Sequence, residues 1–259
     1  MSVYVERRGQ GPNLVLLHGW GMNSAVWDGL AMRLENDASL YLVDLPGFGQ
    51  SDALPPDATL SDWVQAILEV VPHQATWLGW SLGGLLATQA ALLAPNRVSQ
   101  LITLASSPCF VANDTWPGIK PQVLANFEQQ LLADHQAVVN RFLALQAMGS
   151  EHAREDIRQL KASLAAKPAP SPTALAAGLA LLGEVDQRAQ LCELRMPLLR
   201  LYGRLDGLVP HQVIVRVEAL LPEDVQYRHS HIEAKASHAA FISHPDATAE
   251  RIKLFLQQN

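Results

Sequence analysis

Cysteine is almost absent from this chain: Cys109 and Cys192 are the whole complement of 2. They could form one disulfide, but their spacing matches neither a disulfide framework nor a zinc site, so two buried thiols are expected. Long apolar runs are missing as well. None approaches the ~20 residues of a membrane-spanning helix, and the N-terminal MSVYVERRGQG lacks the apolar stretch of a signal peptide, so no membrane partner and a cytoplasmic location are expected. Positive charge is not in excess. Lys plus Arg is 19 against 25 Asp plus Glu, a net charge of -6, which argues against a nucleic-acid partner. Charged residues make up only 17% and hydrophobic ones 49%, the balance of a globular chain rather than a disordered one. There is no internal repeat and no low-complexity segment. The length of 259 residues suits one large α/β domain or two small ones. A chain of that size buries about three quarters of the surface it exposes when unfolded.

What is present centres on Thr76 to Leu93, TWLGWSLGGLLATQAALL. Gly79-Trp80-Ser81-Leu82-Gly83 lies between a short apolar run and a run of helical period, the context that a nucleophile elbow requires. A nucleophile at the tip of a tight strand-to-helix turn sits in strained backbone, and the residues two before and two after it must be small. Gly79 and Gly83 meet that need, so Ser81 is the candidate nucleophile, held at a helix N-terminus that favours developing negative charge.

The strands and helices around this elbow alternate. Val3 to Arg8 and Leu14 to Leu17 read as strands around a Gly9-Gln10-Gly11 turn; the turn lacks the third glycine of a dinucleotide fingerprint. His18-Gly19-Trp20-Gly21 follows directly. In an α/β-hydrolase arrangement this loop supplies one oxyanion donor and the residue after the nucleophile supplies the other, which makes the backbone NH groups of Trp20 and Leu82 the candidates. Asn23 or Ser24 caps a helix to about Glu35. Leu40 to Val43 is a strand ending at Asp44, Thr59 to Val71 a helix, and Gln100 to Leu104 the strand after the elbow helix.

From 110 to 186 the alternation stops. Val123 to Leu132, Gln136 to Met148, Glu151 to Lys167 and Thr173 to Leu182 all carry helical spacing, with Pro168, Pro170 and Pro172 as breaks. A strandless insert at this place reads as a helical cap over the active site. Alternation resumes with a strand from Pro197 to Tyr202, a loop holding Asp206, a helix from His211 to Leu221, an extended run from Val225 towards Ile232, the loop holding His238, and a closing helix from Asp246.

A serine hydroxyl needs a base, and the base needs a group that fixes its tautomer. Chain order in this fold is serine, acid, histidine. Asp206 and His238 fit that order, with Asp44 and Asp186 as fallback acids. His211, His229, His231 and His244 read as structural or surface residues, and His229-x-His231 alone is too little for a metal site. No metal or cofactor is expected.

LVLLHGWGMNSAVW, YLVDLPGFGQSD, WLGWSLGGLLATQ, ASSPCF, WPGIKPQVL, RFLALQAMG, LRLYGRLDGLVP and AFISHP together carry a resemblance over nearly the whole chain. The sequence resembles the carboxylesterases that demethylate pimeloyl-acyl-carrier-protein methyl ester in biotin synthesis. GWSLGG with ASSPCF, WPGIKP and RFLALQ is the narrow part of the match; the elbow and HGWG are shared widely by α/β-hydrolases. The resemblance implies Ser81, Asp206 and His238 as a triad, and substrate contacts at Trp20, Ser81, Leu82, Phe142, Leu143, Ala144, Leu145, Gln146 and His238. It also implies acyl-carrier protein as partner. Arg154, Arg158 and Lys161 at i, i+4 and i+7 on one cap helix, with Arg141 on the preceding one, form a basic face that could meet an acidic carrier. The family has a further arginine just before Arg141, whereas Gln136 to Asn140 contains none.

The expected architecture is a single α/β-hydrolase domain over 1–259, a mostly parallel sheet of about eight strands flanked by helices, with the helical cap at 110–186. A monomer is expected. The expected activity is hydrolysis of the carrier-bound methyl ester. The rivals are a promiscuous short-chain carboxylesterase, a carbon-carbon bond hydrolase, and a ligand receptor of the same fold without turnover. Dehalogenases and epoxide hydrolases of this fold place Asp at the elbow, so Ser81 argues against both.

Overall fold

Residues 2–223, 225 and 227–258 are described by the computed structural model of the chain; Met1, Asp224, Gln226 and Asn259 lie outside the described residues. The apolar runs form β1 (Val5–Arg8), β2 (Asn13–Leu17), β3 (Ser39–Val43), β4 (Ala75–Trp80), β5 (Val98–Leu104), β6 (Leu198–Gly203) and β7 (Arg228–Glu233). They make one 7-stranded sheet in the order β1-β3-β2-β4-β5-β6-β7. Every pairing is parallel except β1 with β3. Strands β4 and β6 are buried along their whole length, which is why they read as continuous apolar runs rather than alternating ones.

Two expectations need correction. Among the described residues the sheet has 7 strands where about eight are expected. The chain ahead of β1 adds none, because it prolongs the same pairing with β3: the Asp44 NH donates to the Tyr4 carbonyl at 3.1 Å, one step beyond Val5 opposite Val43, and the Asp52 NH donates to the Ser2 carbonyl at 2.9 Å. Of the two thiols expected to be buried, Cys109 is buried and Cys192 is exposed, on the short helical turn before β6. The Gly9-Gln10-Gly11 turn joins β1 to β2 without pairing them. β1 pairs antiparallel with β3, and β2 lies one place further in.

The helices are α1 (Asp28–Leu34), α2 (Leu60–Leu68), α3 (Leu82–Leu93), α4 (Pro121–Ala133), α5 (His135–Ala147), α6 (Ala153–Ala165), α7 (Pro172–Glu184), α8 (Val213–Glu218), α9 (Ala240–Ser243) and α10 (Pro245–Leu256). Their ends follow from side-chain chemistry. Thr59 and Asp62 form a reciprocal capping box on α2, Ser171 caps α7, and Pro121, Pro172 and Pro245 each open a helix where a missing NH costs nothing. None is long and apolar enough to cross a membrane, among the described residues.

Helices α4 to α7 run consecutively between β5 and β6, and paired backbone around them is limited to isolated bridges such as Val111 with Ile119, among the described residues. This four-helix segment lies over the C-terminal ends of the strands. Trp20 Nε1 donates to the Leu175 carbonyl at 2.9 Å, Asn23 Nδ2 to the Leu164 carbonyl at 3.1 Å, and the Ser171 NH to the Gly47 carbonyl at 3.0 Å. At the other end, Ser237 Oγ donates to the Met148 carbonyl at 2.8 Å.

Candidate active site

Ser81 stands at the junction of β4 and α3 with φ 56, in the left-handed region that a non-glycine residue enters only under constraint. Three contacts impose it. The Ser81 NH donates to the Leu104 carbonyl at 2.9 Å, and the Ser106 hydroxyl donates to the Ser81 carbonyl at 2.8 Å. The third is the close crossing of the strand under the helix: a Cβ on Gly79 would collide with the Gly83 carbonyl, and one on Gly83 with the Leu17 carbonyl. Glycine at those two positions is therefore a steric requirement of the turn.

His238, in the loop between β7 and α9, reaches back to this turn. Its Nε2 lies 2.9 Å from Ser81 Oγ and its Nδ1 2.8 Å from Asp206 Oδ2. Asp206, in the loop after β6, is itself fixed: Oδ1 accepts from the backbone NH groups of Leu208 at 2.8 Å and Val209 at 2.9 Å. A carboxylate held on one oxygen by two amides presents the other to the imidazole and so favours a proton on Nδ1, leaving Nε2 to accept from the serine hydroxyl. All three side chains are buried.

The two NH groups expected to hold an oxyanion are both open. Leu82 opens α3, so its NH has no intrahelical acceptor; neither it nor the Trp20 NH has a hydrogen-bond partner among the described residues. The loop carrying Trp20 is braced by His18, whose Nδ1 donates to the Gly19 carbonyl at 2.8 Å and whose Nε2 accepts from the Leu45 NH at 3.0 Å. Burial pushes the His18 imidazole down to about 4, so it is neutral and serves as a strut.

The other aspartates are engaged elsewhere. Asp44 accepts from the Ser24 and Gln50 NH groups and pairs with Lys167 Nζ at 3.1 Å; Asp186 pairs with Arg188 at 2.6 Å. Neither faces His238, so the fallback acids are set aside. On α5, Phe142 packs edge-on against Trp20 with ring centroids 4.8 Å apart. The stretch 142–146 is not lined up as a continuous contact surface, because it is helical. Phe142, Leu143 and Gln146 are buried, while the turn of α5 carries Ala144 outward and leaves Leu145 half-buried. Between α5, α6 and α7 a groove of about 280 Å³ is lined by Val139, Asn140, Lys161, Leu164 and Leu175. Its wall adjoins the loop of Trp20 and Gly21, since the Leu175 carbonyl accepts from Trp20 Nε1 and Val139 lies beside Gly21.

Of the basic residues singled out on the surface, Arg154 and Lys161 are exposed on α6. Arg158 is paired with Glu155 at 2.7 Å. Arg141, on α5, reaches Gln130 at 3.1 Å and lies over the Phe127 ring. No group of three or more His, Cys, Asp or Glu side chains is arranged to hold a metal ion, among the described residues. Two contacts escaped sequence reasoning. Trp80 Nε1 donates to the His238 carbonyl at 2.9 Å, and the His238 NH donates to the Gln146 carbonyl at 3.1 Å, which together fix the backbone that aims the imidazole. Trp80 lies inside the elbow motif, which was the one signal available.

A family model for the alpha/beta hydrolase fold matches residues 12–245. A pimeloyl-acyl-carrier-protein methyl ester esterase of Aeromonas salmonicida (strain A449) is 55% identical over 257 residues, covering 99% of this chain and 100% of that protein. The enzyme of the same name from Pectobacterium atrosepticum (strain SCRI 1043) is 51% identical over 257 residues, covering 99% of each. Among solved structures, an esterase from Exiguobacterium antarcticum superposes with a TM-score of 0.86 at 20% identity, covering 99% of this chain and 96% of that one. A bromoperoxidase from Bacillus anthracis gives a TM-score of 0.86 at 20% identity, with 99% and 95% covered. At that identity the two solved structures share the fold alone.

Proposed function

We propose, from the premise that this chain belongs to the alpha/beta hydrolase family and within it to the pimeloyl-acyl-carrier-protein methyl ester esterases, that it hydrolyses the methyl ester of a pimeloyl chain borne by acyl carrier protein. It is a carboxylic ester hydrolase, and the resemblance of its motifs puts the reaction in biotin synthesis. The observation that carries the chemistry is one imidazole with Ser81 Oγ at 2.9 Å on one nitrogen and Asp206 at 2.8 Å on the other.

Ser81 Oγ attacks the ester carbonyl as His238 Nε2 takes its proton, and Asp206 stabilises the imidazolium through Nδ1. The oxyanion lies between the free NH groups of Trp20 and Leu82, each worth about 3 kcal/mol in sites of this kind. His238 then protonates the departing methoxide, and methanol leaves. Water enters, His238 takes a proton from it, and collapse of the second tetrahedral adduct frees Ser81 and the pimeloyl carboxylate on its carrier.

Helices α4 to α7 act in this reading as a cap spanning 110–186. Ser81 is only 1% exposed, so the ester must reach it on a thin arm, which a carrier-bound chain provides. The groove beside Trp20 is the path we assign to that arm. The enzyme is net acidic and so is an acyl carrier protein, so docking requires a local basic face. Arg141, Arg154, Arg158 and Lys161 are assigned to it.

The test is mass-spectrometric demethylation of pimeloyl-carrier methyl ester beside free methyl pimelate. A large advantage in kcat/KM for the carrier-bound ester is expected. Equal rates on the two would move the function to a general carboxylesterase and leave the serine chemistry standing.

A further inference from the structure

We propose that the side-chain amide of Gln146 holds and orients the water that hydrolyses the acyl-enzyme; this rests on the serine-esterase reading above. Gln146 is fully buried, yet neither Oε1 nor Nε2 has a hydrogen-bond partner among the described residues. An amide with unused donors and an unused acceptor in a dry interior is costly, and such groups persist where they serve a ligand or a water.

Its place on α5 identifies the ligand. Val139, Phe142, Leu143 and Gln146 recur at i, i+3, i+4 and i+7 and share one face of the helix. Val139 lies beside Gly21, Phe142 packs on Trp20, and the Gln146 carbonyl accepts from the His238 NH at 3.1 Å. The stripe therefore runs from the loop of Trp20 to the backbone of His238, and Gln146 is its polar end. Other polar side chains here are already engaged: Asp206 with His238, Leu208 and Val209, Ser237 with Met148, and Trp80 with the His238 carbonyl. The second carbonyl of the acyl chain sits at the far end of that chain, away from the reacting carbon. Gln146 is instead tied to His238 through its backbone carbonyl, which leaves its side-chain amide free to meet a water beside that residue.

In the step itself the water oxygen bonds to the acyl carbon as one water proton passes to His238 Nε2. The water's other O–H donates a hydrogen bond to Gln146 Oε1 and stays on the oxygen, which turns a water lone pair towards the acyl carbon. Collapse of the adduct breaks the bond to Ser81 Oγ, which takes the proton from the imidazole. The products are the carboxylic acid and the restored serine.

The experiment uses a p-nitrophenyl acyl ester, whose activated leaving group reports acylation, with quenched-flow mass spectrometry following the decay of acyl-Ser81. In Gln146→Leu, decay and kcat are expected to fall about tenfold while KM falls in step, leaving kcat/KM unchanged. A burst of nitrophenolate near one per enzyme should accompany this. The melting temperature should match or exceed the parent's, because the variant removes an unpaired amide. Decay of acyl-Ser81 at the parent rate would overturn the proposal. So would a fall in kcat/KM without a burst, which would make Gln146 a contact of the ester instead. Ser81→Ala in the same assay separates the two readings: nitrophenolate release and acylation by that variant would overturn the esterase reading itself.

Discussion

His18 and His238 are both buried histidines at the C-terminal ends of strands in one sheet, each near a buried aspartate, and they do opposite things. His18 spends both ring nitrogens on backbone, at the Gly19 carbonyl and the Leu45 NH. Its neighbour Asp44 is taken by Lys167 and by the NH groups of Ser24 and Gln50. His238 gives one nitrogen to Asp206 and keeps the other for a hydroxyl. Residue type and burial are the same in both places. The difference lies in what the second nitrogen meets: a backbone amide makes a strut, and a serine in strained backbone at a helix N-terminus supports the base we propose.

The largest expected effect falls on the pair that faces the serine. Asp206→Asn keeps the shape but removes the charge and the preference for the proton on Nδ1, and kcat should fall by about 10⁴-fold. Asp44→Asn at the other pair should leave kcat within a small factor at a temperature where the variant is folded. Comparable losses of kcat in both variants, with folding intact, would mean that the two pairs are not distinct in function.

Stability should invert that order. Lys167 Nζ sits 3.1 Å from Asp44 Oδ2, donates to Ser24 Oγ at 2.6 Å, and is nearly buried. Lys167→Met leaves a carboxylate with no counter-ion under the four-helix segment, and urea unfolding should register a loss of about 3 kcal/mol. Because Lys167 lies between α6 and α7, the same variant loosens the join between that segment and the sheet. A change below about 0.5 kcal/mol would mean that water already screens the pair.

These contacts also mark how far the sequence could be read. The elbow was legible because its demands are local: Gly79 and Gly83 are needed by colliding backbone, and Ser81 lies between them. The helices were legible because period and a break such as Pro172 are local too. Asp206 and His238 were reached through chain order rather than through any feature of their own segments. What stayed hidden was pairing at long range. Lys167 meets Asp44 across 123 residues and Trp80 meets the His238 carbonyl across 158, and no periodicity encodes either. The pairing of β1 with β3 in place of its neighbour β2 belongs to the same class. So does the division of 142–146 into inward and outward positions: the helix was legible, the side facing the serine was not.

The contrast between the two histidines extends to pH. Burial is the largest cause that lowers His18, to about 4 from 6.5, and it outweighs the pull of Asp44. For a base depressed on folding, the unfolded chain binds more protons between those values, so stability rises with pH there and is lost as pH falls from about 6.5 towards 4. The shift corresponds to about 3 kcal/mol. Asp44 acts in the same direction at lower pH. Burial works to raise its carboxyl, but His18 and the NH groups of Gln50 and Ser24 outweigh that and hold it below its usual value. Its contribution is present above the unfolded carboxyl value and is lost as pH falls through the folded one. Denaturation midpoints between pH 7 and 4 should therefore drop steeply in the parent and less in His18→Gln. Equal slopes would show that His18 does not carry the term.

The smallest effect is expected outside both pairs, on the basic face of α6. Arg158 already spends its guanidinium on Glu155, at 2.9 Å through Nε and 2.7 Å through Nη2, whereas Arg154 and Lys161 are exposed. A carrier carboxylate that recruits Arg158 must displace Glu155, so little net attraction is gained there. Arg154→Ala and Lys161→Ala should each lower kcat/KM on the carrier-bound ester by about two- to fivefold, the range of an exposed ion pair. Arg158→Ala should do less, and the gap between variants should close as salt rises. Free methyl pimelate should be turned over at the parent rate by Arg154→Ala and Arg158→Ala, because that surface charge lies outside the groove; Lys161 also lines the groove, so its carrier effect is read as the loss beyond that on the free ester. A carrier-specific loss in Arg158→Ala larger than in the other two would mean that the carrier breaks the Glu155 pair on docking; equal losses on the free ester would take α6 out of carrier recognition.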